Sequence, residues 1–273
     1  MKQIDRLMPG SAGGKLRTFW RNPSPNVIRI LSVTAFLCAW EVFGRRIDPI
    51  FMSFPSAIGI AFIKLLITGE LISESAKSMQ AFLAGFGLSI VLGIALGVLM
   101  GAYRRFEYAV DPFINALYST PNVALIPLIV LWLGLGLPTK IAVVFLIAFF
   151  PIVVSTFSGV KNISGSLVEI GRAFGHSEAQ ILWKIILPGA IPFIATGVRL
   201  AVGRAVVGMV VAEFFTAISG LGGMIIKYSN KFETDRMFVP IIVLAVFGVG
   251  LTELVKVFER KVAPWKETER LQL

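Results

Sequence analysis

The chain has 273 residues, 56% of them hydrophobic and only 15% charged, with mean hydropathy +0.80 and formal net charge +10. Soluble domains are nearer half apolar and a quarter charged. The composition therefore excludes an ordinary soluble domain and fits several membrane spans of about 20 residues each. The positive charge does not call for nucleic acid, because the positive-inside rule and anionic lipid faces explain basic loops equally well.

Residues 1–26 are basic and polar, contain Gly, Ser and Pro, and read as a cytoplasmic tail without a cleavable signal. Within them, PGSAGGKL (Pro9 to Leu16) has Pro where a phosphate-binding loop starts with Gly and Leu where it ends in Ser or Thr. Hydropathy then predicts six spans, near 27–44, 79–102, 113–134, 141–159, 189–215 and 238–258. The lone Cys38 lies in the first and reads as a small packing residue. After it, 54–68 reads as a short interfacial helix with Pro55 in its first turn and Phe62, Leu65 and Leu66 on its apolar side. In the second span Gly85, Ser89, Gly93, Gly97 and Gly101 recur every four residues, a small-residue ridge for close helix packing within a subunit or across a dimer. Pro121, Pro127 and Pro151 interrupt helical bonding in spans three and four and are candidates for kinks around a pathway.

Between spans four and five lies a polar loop, 161–188. Ser166-Leu-Val-Glu169 and Ser177-Glu-Ala-Gln180 both fit the capping box. They predict short helices over 167–174 and 178–187, with Gly175 between them, where a helix end favours positive φ. Pro188 limits continuation of the second helix. Phe174, Ile181 and Trp183 offer apolar surface to a partner. Two capped helices around a turn also fit a DNA-binding motif, but membrane spans tether this hairpin at both ends and keep it from a major groove. The lone histidine, His176, sits by the turn glycine as a surface loop residue, with no cluster for zinc.

Span five contains Arg199 and Arg204, costly charges inside a membrane. Five residues apart, they point about 140° apart on a helix and do not serve one site. Arg199 reads as snorkelling or paired, and Arg204 as a candidate for an anionic substrate or a structural pair. Glu213, at the far end of the span, is a candidate partner or gate residue. Residues 217–236 read as an external loop, and 259–273 as a cytoplasmic tail. With both termini inside, inner segments hold sixteen Lys and Arg and outer segments eight, which places 161–188 in the cytoplasm.

Glu169, Gly175, Ile185, Leu187 and Pro188 also match, at its spacing, the coupling loop of ABC importer permeases, Glu-Ala-Ala, three residues, Gly, nine residues, Ile-x-Leu-Pro. Ile170 and Gly171 stand where that family usually has Ala. The segment from Thr120 through Leu128 (TPNVALIPL), then LWLGLG from Leu131, resembles the third span of sulfonate, taurine and nitrate-type permeases. Phe149-Phe150-Pro151-Ile152, Ala212-Glu213-Phe214 and Gly220-Leu221-Gly222 are similar to later segments. The resemblance implies an all-α, six-span, non-catalytic inner-membrane permease with N-in, C-in topology, moving a small solute by alternating access. It implies a coupling site formed by Glu169, Ala173, Phe174, Gly175, Ile185, Leu187 and Pro188, and a path involving Arg204, Arg199, Glu213, Pro121 and Pro127. Implied partners are a second permease copy, two cytoplasmic ATPase subunits that carry ATP and Mg2+, and a periplasmic binding protein, with no cofactor or metal on this chain. The competing class is a self-powered secondary transporter or channel, which calls for acidic coupling sites or inverted halves.

Overall fold

The computed structural model describes residues 25–216 and 219–262, so the predicted tails lie largely outside the described residues. Among the described residues every regular element is helical. Five helical stretches are long and apolar enough to cross a membrane, and a bent pair makes a sixth if counted as one span.

Helix α1 (Pro25–Gly44) opens on proline. At its end a Cβ on Gly44 would lie 2.9 Å from Phe54 Cβ, so glycine lets the chain fold straight back. Trp40 Nε1 donates to the Ser53 carbonyl at 2.9 Å. Glu41 accepts from the Ser56 amide at 3.0 Å, neutralising a free donor in the first turn of α2 (Pro55–Ile67). Arg45, just after the first span, pairs with Glu41 at 2.7 Å and stacks over Phe54. Cys38 departs from the packing reading, because it is exposed on α1. Helix α2 also buries a slightly different face from the predicted one, with Ile58, Ala61 and Leu65 turned in and Phe62 and Leu66 exposed.

Helix α3 (Glu70–Ala102) is 33 residues long and starts nine residues before the predicted span. Hydropathy stops at Glu74 and Ser78, but these residues are helical and find partners, described below. Its small-residue ridge packs within the subunit, against α6 (Leu137–Lys161). Gly85 meets Val144, Gly93 meets Ile152, Gly97 meets Thr156 and Gly101 meets Val160, each neighbour lying 59 positions later. The constant offset means two parallel helices in fixed register, close enough that Cβ atoms at these glycines would sit 2.5 to 3.0 Å from the opposing Cβ. Half of the apolar window of α6 is buried, the largest share of any span, and α6 is the central helix.

The third span is not one straight helix. Helix α4 (Arg104–Ser119) ends in an extended Thr120 before Pro121, as the residue preceding proline prefers. A 3-10 turn (Asn122–Leu125) and α5 (Ile126–Leu133) follow, bent 91° from α4. Pro127 starts α5 and does not kink it.

After α6 come α7 (Gly165–Ala173) and α8 (Glu178–Ile181), then a π segment (Leu182–Ile186) running into α9 (Leu187–Thr216). Pro188 does not end the helix as expected. The π segment widens the helix just ahead of it, with the Leu187 amide bonding five residues back to Leu182, and the chain continues as one 39-residue stretch. Helix α9 runs antiparallel to α6, Gly197 against Ser155 and Gly208 against Ile147. The 217–236 region is not a loop. It contains α10 (Leu221–Asn230), which buries Leu221, Met224 and Tyr228 at helical spacing. Helix α11 (Thr234–Val262) closes the bundle, with Phe247 edge-on to Phe82 of α3. The starts of α3 and α6 and the end of α9 thus meet at one end of the bundle, and α7 and α8 lie at the other.

Candidate functional site

The hairpin at 161–188 is built around Gly175, whose φ is +75°. The His176 amide bonds the Gly171 carbonyl at 3.1 Å and the Gly175 amide bonds Arg172 at 2.9 Å, the paired closure that ends a helix in a left-handed residue. A Cβ at Gly175 would meet nothing within 4 Å, so the position is constrained by its backbone and not by neighbours. The second capping box forms: the Gln180 amide donates to Ser177 Oγ, and the Ser177 amide donates to the Gln180 side chain. The first does not. Helix α7 starts at Ser164 without a side-chain cap, Ser166 Oγ instead lies 2.6 Å from Ser164 Oγ, and Glu169 stands exposed. Gly171, where the pattern usually has Ala, is buried with Ile181 and Ile185 against it. Arg172 reaches across the turn to Glu178 at 2.9 Å, and that carboxylate raises the guanidinium pKa above its usual value.

The residues singled out here fall into two groups. Ile185 is half-buried against Gly171 of α7, and Leu187 is half-buried in a cluster with Val160 of α6 and Val98 of α3, whereas Glu169, Ala173, Phe174 and Pro188 are exposed. Phe174 is 79% exposed and Trp183 71%, with Leu167 and Ile170 about half exposed. Exposed apolar surface of this kind accompanies contacts with another protein or with membrane.

Along α9 the two arginines diverge as their spacing predicts. Arg199 pairs with Glu259 of α11 at 3.0 Å. The Arg204 guanidinium lies 5.7 Å from the Tyr118 ring centroid, at the end of α4 just before the break at Pro121. Among the described residues it forms no salt bridge. Pro121 and Pro127 are exposed at that break.

Glu213, the candidate partner or gate residue, is enclosed, being 0% exposed. Its Oε1 accepts from Ser78 at 2.7 Å and its Oε2 from the Gly222 amide at 2.8 Å. Lys140, 3% exposed, stands 3.8 Å from it and donates to the Ser219 carbonyl and hydroxyl. Ser78 also accepts from the Leu221 amide at 2.8 Å, and Glu74 accepts from the Gly220 amide. Glu70 binds Lys227 and the Tyr228 hydroxyl. Burial, then that carboxylate, push the Tyr228 hydroxyl well above the usual phenol range, so it remains a donor. Sequence reasoning missed Lys140, which lies just before the predicted fourth span, and Ser78, just before the second. The legible signal was the spacing of Glu70, Glu74 and Ser78, one per helical turn on one face.

Parallel and antiparallel apolar helices around a central span, with an amphipathic hairpin between two of them, define a polytopic helical membrane protein. The chain belongs to the family of binding-protein-dependent transport system inner membrane components, which matches residues 89–264. It is 33% identical over 241 residues to the putative aliphatic sulfonates transport permease protein SsuC of Bacillus subtilis, covering 88% of this chain and 87% of that one. It is 36% identical over 218 residues to the protein of that name in Escherichia coli, covering 80% and 83%. It is 29% identical over 258 residues to the taurine transport system permease protein TauC of Escherichia coli, covering 91% and 94%. An inward-facing structure of the MetNI methionine ABC transporter shares the fold, with TM-score 0.57 and 21% identity over 70% of this chain and 95% of that one.

Proposed function

We propose that this chain is the permease subunit of an ABC importer for a small sulfonate such as taurine or an alkanesulfonate. It acts in a bacterial inner membrane and is driven by ATPase subunits that dock on the 161–188 hairpin. The observation that carries the reading is the exposed apolar face of that hairpin, Leu167, Ile170, Phe174 and Trp183, displayed around a left-handed Gly175 at one end of the bundle. Closure of a pair of ATPases would push two such hairpins, one per permease copy, and reorient the spans around a path between them. A periplasmic binding protein would deliver the solute to the opposite end. The similarity to aliphatic sulfonate and taurine permeases supports the substrate class, and Arg204 supports an anion. Among the described residues Arg204 has an aromatic neighbour and no salt bridge, and it sits beside a broken span whose free backbone groups need either protein or a watery path. Sulfonate remains ionised at any physiological pH and presents three acceptor oxygens to such a guanidinium.

The test is reconstitution. The chain, purified with its ATPase and binding protein in vesicles, is expected to take up taurine or an alkanesulfonate only with ATP present. Uptake by the chain alone, driven by an ion gradient, would favour a secondary transporter.

A further inference from the structure

The polar cluster at the end of the bundle away from the hairpin holds the most completely buried charges among the described residues, Lys140 and Glu213. It joins four helices through short contacts. Lys140 comes from α6, Glu213 from α9 and Ser78 from α3, and the amides of Gly220, Leu221 and Gly222 come from the start of α10. Gly220 has φ +94°, and a Cβ there would fall 1.9 Å from Glu213 Oε1; at Gly222 it would fall 2.8 Å from Glu213 Cβ. The two glycines thus let the backbone close over the carboxylate. At the other end of α10, Lys227 and Tyr228 return to Glu70. One face of α3, through Glu70, Glu74 and Ser78, therefore holds α10 at both ends.

We infer that Glu213 and Lys140 are positioning residues that lock α10 onto the ends of α3, α6 and α9, so that these four segments move as one rigid body during transport. A buried pair stripped of one partner leaves an uncompensated charge in low dielectric, and packed interfaces of this kind switch between discrete arrangements instead of bending. A helix held at both ends and dry in the middle is unsuited to swinging as a separate gate. Opening at this end would then occur along other surfaces, with α10 carried along.

This rests on the importer reading, and the experiment separates the two. In a Cys38→Ala background, Glu70→Cys and Lys227→Cys are introduced together and joined by a short, cleavable bifunctional thiol reagent. The protein is reconstituted with its ATPase and binding protein, and ATP hydrolysis and taurine uptake are followed. The expected result is no loss of either on cross-linking. Loss of either on cross-linking, reversed by cleavage, would show that α10 must separate from α3 and would overturn the inference. Failure of the ATPase to co-purify at all would count against the importer reading instead. A second arm tests the pair itself. Lys140→Met or Glu213→Gln alone should lower the amount of protein in the membrane, and the double substitution should restore it and restore hydrolysis. Single variants with wild-type amounts, hydrolysis and uptake would mean that the pair positions nothing.

Discussion

At the scale of single residues, Gly175 and Arg204 make the sharpest claims. Asn and Asp are nearly isosteric, and both enter the left-handed region more readily than other side chains, at a cost of about 1 kcal/mol or less. No neighbour lies within 4 Å of a Cβ at Gly175. Gly175→Asn should therefore leave the hairpin folded and the ATPase bound, while Gly175→Asp adds a carboxylate at the docking face and should release it. Co-purification of the ATPase reads the difference, and equal binding by both would remove this turn from the interface. Glu169→Ala should leave protein levels unchanged, because the side chain is exposed and closes no cap, so any lost uptake would report a contact made to the ATPase. Arg204→Ala breaks no ion pair among the described residues, only a ring contact worth about 0.5–2 kcal/mol. Membrane levels should hold. A hydrogen bond to a charged group is worth about 1.5–3 kcal/mol, so uptake affinity should fall roughly 10- to 150-fold. Arg204→Lys should recover part of it, and loss of the protein itself would return Arg204 to a structural role.

At the scale of elements, the parallel pair α3 and α6 gives a test by exchange. A Cβ at Gly101 would lie 2.5 Å from both Cβ and Cγ1 of Val160, so Gly101→Ala should overpack the contact at a cost of about 1–3 kcal/mol. Moving the small residue across, Gly101→Ala with Val160→Gly, should restore most of the protein seen in the membrane and by thermal unfolding. The glycine introduced into α6 keeps the rescue incomplete by about 1 kcal/mol. No rescue would mean that the register is wrong. This ridge was legible in the sequence because its period is that of the helix. Which helix it meets was not, since periodicity on one helix says nothing of its partner. The hairpin glycine and the second capping box were legible for the same local reason, and the first box failed because Ser164 took the helix start. The break in span three was half legible. Pro121 marked it, but a hydropathy window averages over a 91° bend between two apolar pieces. Helix α10 was missed because three glycines among four residues look like a turn, although two of them, Gly220 and Gly222, bring the backbone against Glu213.

At the scale of the whole molecule, the bundle has two chemically different ends. One gathers residues 45–55, 70–78, 134–140 and 219–236; the other gathers 103–107 and 161–188, where Lys161 pairs with Glu107. The fold ties these groups together but is symmetric to the question of which end faces the cytoplasm. Charge decides it. The end with the hairpin, together with both tails, carries twice as many Lys and Arg as the other, and basic residues near span ends are retained inside. The measurement is labelling of single cysteines, Ser166→Cys and Ser229→Cys, with an impermeant thiol reagent; both positions are exposed. The background must be Cys38→Ala, because Cys38 is itself exposed on α1. Intact cells are expected to label at 229 and not at 166, and opened vesicles at both. Labelling of intact cells at 166 but not 229 would invert the molecule. The hairpin would then face away from ATP, and the proposed drive would have nothing to push.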